Sequence, residues 1–236
     1  MNIQNLGMKF HIVLPVATPG AEERFFRMCG FDLGAVGHRK MEQAAYKVRN
    51  HLLSQMKIRA FVQGWDHPQV EGADLHLGDT VITCDAFSQI PKEAIKGAFA
   101  YLLTIGETDI EAEDYIMTEI YHDIWGTAYI DSAMEVLRRD CLMPMIEEEG
   151  FFLSENFGPG YFGMAMEEGS KIFDLLDGAA IGVSRKASGL LIPEKSILGL
   201  ILVYDREDIK MSRSCEKCLG NKGGCNFCEK RIVKER

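Results

Sequence analysis

Eight consecutive residues, Ile197 to Tyr204 (ILGLILVY), carry no charge and no side-chain amide. A run so short and so uniformly apolar suits a strand buried on both faces, at the centre of a sheet. It is far too short to cross a bilayer, and no run of eighteen apolar residues exists anywhere in the chain. A central strand needs covering layers. With 236 residues, 47% of them apolar, the chain is long enough to supply them as one large domain or two small ones.

Other elements follow from periodicity and punctuation. Phe10 to Val16 reads as a strand. Thr18-Pro-Gly-Ala-Glu-Glu opens a helix, with Thr18 as cap, Pro19 in the first turn and acids at the positive end of the dipole. That helix closes near Gly30. A second helix runs from Arg39 to Met56, with Met41, Ala44, Ala45, Val48, Leu52 and Leu53 on one side. Arg59–Trp65 and Thr80–Phe87 read as strands, and Pro91-Lys-Glu-Ala opens a helix through Leu103. Ile130, Ala133, Met134, Leu137 and Cys141 recur at helical spacing, so a long amphipathic helix ends or kinks at Pro144. Phe151–Phe157 is extended, Met164–Leu176 helical and Ile181–Ser184 a strand. Helices and strands mix without strict alternation, which predicts an α+β fold. No internal repeat is visible.

Charge is unevenly spread. Glu107 to Glu149 holds thirteen acids and only Arg138 and Arg139 as bases. From Lys210 to Arg236 eight Lys/Arg stand against three Asp/Glu, a surplus of five, which leaves −14 on the remainder of a chain whose net charge is −9. An acidic body disfavours nucleic acid and membrane surfaces. The apolar stretch Ile12–Ala17 is too short for a secretory h-region, so the expected setting is the cytoplasm. The expected division is an α+β domain over 1–209 and a basic tail over 210–236.

The tail contains Cys215-x2-Cys218-x6-Cys225-x2-Cys228. Each Cys-x-x-Cys knuckle presents two thiolates to one side of a tight turn. Four sulfurs complete a tetrahedral zinc site or hold an iron–sulfur cluster. The spacing leaves both open: the six-residue connector is short for a zinc ribbon and does not match the ferredoxin run. Cys29, Cys84 and Cys141 stand singly inside predicted elements and read as inert buried thiols. The six histidines show no ligand spacing, and neither a nucleophile elbow nor a P-loop is present.

Gly158-Pro-Gly160-Tyr-Phe-Gly163 formally satisfies the dinucleotide fingerprint G-x-G-x-x-G. Pro159 removes an amide that would face a pyrophosphate, and Phe152–Phe157 is too polar for a buried parallel strand. A nicotinamide-dependent reading rests on that loop alone. A second pattern uses the same residues. Gly158-Pro-Gly-Tyr161 is followed by a helix ending Phe173-Asp-Leu-Leu-Asp177, then Ile181-Gly182, then Pro193-Glu-Lys-Ser196 and Gly199. In order and spacing this series resembles the activation domain of cobalamin-dependent methionine synthase in its stand-alone form. Leu102-Leu-Thr-Ile-Gly106 and the acidic helix near Thr127 resemble that family's central segment.

The resemblance implies a bent, mostly antiparallel sheet flanked by helices. It implies an S-adenosylmethionine site formed by Asn156, Gly158, Pro159, Gly160, Tyr161 and Ser188. It also implies a partner carrying cobalamin, together with an electron donor, the protein supporting reductive remethylation of the corrinoid. The tail would then be a zinc staple or an electron relay. Two positions depart from the family. Asn156 replaces an arginine able to pair with the methionine carboxylate, and Ala187 replaces a glutamate in the serine turn, where Arg185 and Lys186 offer nearby positive charge. Those departures also fit a different class: a binding module that keeps the fold without the chemistry and uses a zinc-knuckle tail to contact a partner protein or RNA.

Overall fold

A strand buried on both faces dictates two apolar layers, and both are present. The structure, a computed structural model, describes residues 7–16, 20–30, 38–110 and 116–209. The four tail cysteines, Thr18 and Pro19 lie outside them. Along the chain come β1 (Lys9–Val13), α1 (Ala21–Cys29), α2 (Arg39–Gln55), β2 (Arg59–Asp66), β3 (Gln69–Glu71), β4 (Asp74–Leu77), β5 (Thr80–Thr83), β6 (Ile95–Thr104), α3 (Ile116–Val136), β7 (Phe152–Phe157), α4 (Glu168–Asp174), β8 (Ser184–Arg185), β9 (Leu191–Ile192) and β10 (Ser196–Tyr204).

The main sheet has the order β1-β2-β6-β10-β7, and every neighbouring pair is antiparallel. The fold class is α+β, as the mixed periodicities predict. β3, β4 and β5 form a separate three-stranded sheet, and β8 pairs with β9.

Residues alternate across the main sheet. On one face Ala60, Val62, Phe99, Tyr101, Leu103, Ile201 and Val203 pack beneath α1, α2 and α3. On the other, Phe61, Ala98, Ala100, Leu102, Leu200 and Leu202 meet Leu75, Ile82, Phe87 and Ile172. β10 pairs along its length with β6 and, from Leu200 to Tyr204, with β7, which makes it an interior strand.

The helical layer is organised around Trp125. Its ring stacks on Phe25 at 3.8 Å and 8°, and its indole N–H donates to the Ala45 carbonyl at 2.9 Å. One residue thus joins all three long helices. Of the residues expected on the inner side of α2, Ala45, Val48 and Leu52 are buried, whereas Met41 and Ala44 are exposed. α3 buries most of its circumference and confines its acids to an exposed stripe, Glu119, Asp123, Asp131 and Glu135.

Several elements differ from expectation. Residues 95–104, expected to be helical, are the sheet strand β6. This strand is covered on both faces, so its apolar residues run together and the alternation that marks a half-exposed strand disappears. Thr80–Phe87 divides into β5 and a 3-10 turn, Asp85–Gln89. The helix expected over Met164–Leu176 is confined to Glu168–Asp174, because a turn at 160–164 occupies its start. Ile181 closes a 3-10 turn rather than starting a strand. After Val136 the helical path passes through a π turn, Leu137–Leu142, and a 3-10 turn containing Pro144.

Candidate functional site

The bend after β7 is built by backbone conformations that few residues adopt. Gly160 has φ +82 and Gly163 has φ +80, the left-handed region where a Cβ is strained. At Gly163 a Cβ would also collide with the Asp85 side chain. The bend closes on itself: the Gly160 amide donates to the Met164 carbonyl at 2.9 Å, and the Tyr161 amide to Gly158 at 3.0 Å. The Ala86 amide then ties the bend to the 3-10 turn through the Phe162 carbonyl at 3.2 Å.

Beside this bend lies an open cleft of about 480 Å³. Gly158, Pro159 and Tyr161 form one wall, and Ser196, Ile197 and Leu198 of β10 lie along it. Gly189 and Leu191 enter from the β8–β9 hairpin, while α1, α3 and the π turn bring Arg24, Arg27, Asp131, Glu135 and Arg138. Tyr161 is 54% exposed and Met166 68% exposed, so apolar surface marks the mouth.

The structure brings Asn156, Gly158, Pro159 and Tyr161 together around this one cleft. Gly160 turns the chain between two of them. Ser188 stands in the exposed β8–β9 turn outside the lining, which its neighbour Gly189 reaches. Arg185 is committed elsewhere, to Ser170 Oγ at 3.0 Å, Asp174 at 3.1 Å and the face of Phe173. It holds the hairpin against α4 and does not supply a positive charge beside Asn156.

That charge comes from Arg138. Its guanidinium donates to the Leu153 carbonyl at 2.7 Å, to the Ser154 carbonyl, and to Asn156 Oδ1 at 3.5 Å. Burial lowers its pKa from the ordinary arginine value, and Glu155 and Tyr101 oppose that shift. Arg24 also faces the cleft, with its Nε donating to Ser132 Oγ at 3.3 Å and its guanidinium paired to Glu135. The cleft therefore combines guanidinium and carboxylate groups.

Arg24, Arg27, Arg138 and Tyr101 join the cleft with no local motif in the sequence to mark them. The one available signal was that Arg138 and Arg139 are the only bases in a long acidic stretch. The single cysteines are poor nucleophiles: burial pushes Cys29 and Cys84 up to about 11 and raises Cys141. Among the described residues no cluster of His, Cys, Asp or Glu is placed to hold a metal ion, and no helix is long and apolar enough to cross a membrane. The dinucleotide fingerprint follows an antiparallel edge strand and leads into a seven-residue helix. That context is not the parallel βαβ unit a dinucleotide site requires.

No protein-family model matches the sequence, and no curated protein matches it. Among solved structures, the MetH reactivation domain bound to AdoHcy superposes with a TM-score of 0.63 over 89% of this chain and 82% of that one, at 15% identity. The chain has the fold of that domain.

Proposed function

We propose that this protein binds S-adenosylmethionine in the cleft beside Tyr161 and supports reductive remethylation of a corrinoid carried by a partner methyltransferase. The observation that carries the reading is the cleft itself. About 480 Å³ of open, mixed-charge space lies against a Gly-Pro-Gly-Tyr bend, in a fold shared with a domain solved bound to AdoHcy. The volume lies within the range of small-molecule sites. S-adenosylmethionine carries a carboxylate, an ammonium and a sulfonium, and a lining of guanidinium and carboxylate groups suits such a ligand.

The chemistry belongs to the two bound partners. A corrinoid brought by the partner and reduced by one electron would supply the electron pair that takes up the methyl group, the sulfonium–methyl bond breaking and S-adenosylhomocysteine leaving. This chain's contribution is positioning. The Gly158–Gly160 backbone permits close approach of the nucleoside, Tyr161 offers a ring and a hydroxyl, and the open mouth leaves the methyl group reachable from outside.

Cys215, Cys218, Cys225 and Cys228 form the second part of the proposal: four thiolates holding a zinc ion or an iron–sulfur cluster, as a staple or as the route for the electron. A reducing, cytoplasmic setting is consistent with such a donor set. Metal analysis and a visible spectrum of anaerobically purified protein distinguish the two, and the absence of both metals would remove this part.

Titration calorimetry tests the main reading. Heat with S-adenosylmethionine and S-adenosylhomocysteine at one site per chain is expected. No heat with either, alongside tail-dependent capture of a partner protein or RNA, would favour the binding module instead.

A further inference from the structure

Two backbone irregularities meet at Asn156. In β7 the register slips: Asn156 pairs with Ile201 and Leu153 with Val203. Ser154 and Glu155 therefore stand opposite Leu202 alone, a β-bulge. The Ser154 hydroxyl oxygen accepts the Leu202 amide at 2.8 Å. The bulge changes which side chains share a face. With simple alternation Leu153 would share its face with Glu155 and Phe157. Instead Phe157 is buried in the opposite core, and Asn156 opens onto the cleft on the α3 side.

Across from the bulge, the π turn Leu137–Leu142 carries Arg138. π turns redirect side chains relative to the regular helix, and this one aims Arg138 at the bulge carbonyls of Leu153 and Ser154 and at Asn156 Oδ1.

A guanidinium has donors only, and a primary amide has one oxygen and one NH2 group. Whatever faces Arg138 must be the amide oxygen. The Asn156 NH2 makes no hydrogen bond among the described residues, and it is not one of the buried unpartnered atoms. We infer that Arg138 is a positioning residue that fixes the polarity of Asn156, holding its oxygen so that its NH2 is presented to the cleft as a donor to a ligand carboxylate. This rests on the proposed function and deepens it. The guanidinium is engaged by the Leu153 and Ser154 carbonyls, and the amide makes the contact with the carboxylate.

Asn156→Asp tests the inference because it preserves shape and reverses polarity. It gives Arg138 an ionic partner, but it offers the ligand an acceptor where a donor stood. Two readouts are needed. The first is a double-mutant cycle by thermal melting with Asn156→Asp, Arg138→Lys and Arg138→Met. The aspartate should be neutral or stabilising beside Arg138 and destabilising in the Arg138→Met background, where the guanidinium opposite it is gone. The second is calorimetry with S-adenosylmethionine against its decarboxylated analogue, which lacks the carboxylate.

Asn156→Asp should weaken S-adenosylmethionine by about tenfold or more and leave the decarboxylated analogue within about threefold. Arg138→Lys, which keeps the charge and loses the fork, should show the same selectivity in milder form. Additivity in the melting cycle, or equal losses for the two ligands, would overturn the inference while leaving the proposed function standing. No heat from the unaltered chain with either ligand would overturn both.

Discussion

At the scale of single residues, Tyr161 carries the cleft's most exposed aromatic surface, and its ring is not part of either core. Tyr161→Ala is expected to leave the melting temperature within a few degrees and to weaken S-adenosylmethionine binding by about tenfold, roughly 1.4 kcal/mol. Calorimetry and thermal melts of the same sample check both halves. His122 gives a pH dependence. Its Nε2 is buried and has no hydrogen-bond partner among the described residues. Burial, then Lys195, lowers its pKa from 6.5, His51 adds to the shift, and Asp123 and Asp109 oppose it. A folded-state pKa below the unfolded value means that neutral His122 contributes stability fully present above 6.5. That contribution is lost as the pH falls through the folded value. Melts taken downward from neutral pH should fall more steeply for the unaltered chain than for His122→Gln, and equal slopes would contradict this. The motif series that resembles the methionine synthase activation domain pointed to Gly158, Pro159 and Tyr161. Arg138 was not legible, because its partner is set by a register slip that no local pattern announces.

At the scale of elements, Trp125 joins α1, α2 and α3 through its stack on Phe25 and its bond to Ala45. Trp125→Ala should cost about 3–5 kcal/mol, read as a shift of the urea midpoint, and a loss below about 1 kcal/mol would show that the helices pack without it. The bend after β7 offers a graded comparison. Gly160→Ala meets only conformational strain, with Met166 Sδ at 3.4 Å from the new Cβ, whereas Gly163→Ala adds the Asp85 collision. The first should cost about 1 kcal/mol and the second clearly more, by chemical denaturation. Helix α2 was readable from its periodicity, and α1 from the Thr-Pro-Gly-Ala-Glu-Glu start and the glycine at its end. The strand β6 was not, because Pro91-Lys-Glu-Ala mimics a helix start and burial on both faces erases the two-residue period. The strand β10 escaped that ambiguity: its run is too short for a helix of ordinary length and is bounded by Ser196 and Asp205.

At the scale of the whole molecule, the cleft is assembled from α1, α3, the β7–α4 connection, the β8–β9 hairpin and β10, segments spread over most of the described chain. The antiparallel order β1-β2-β6-β10-β7 makes β7 an edge strand, and an edge strand tolerates the bulge that turns Asn156 toward α3. The sequence carried the fold class and one wall of the cleft. The charged wall required the topology, since Arg24 and Glu135 are joined only after α1 has been laid on α3. In the proposed function a sulfonium nucleoside occupies this cleft with its reactive carbon facing out. A crystal structure of the protein with S-adenosylmethionine tests it most directly. The expected density lies along the Gly158–Tyr161 bend, with the carboxylate at the Asn156 NH2 and the sulfur toward the open mouth. Ligand bound elsewhere, or a cleft left empty at saturating concentration, would contradict it.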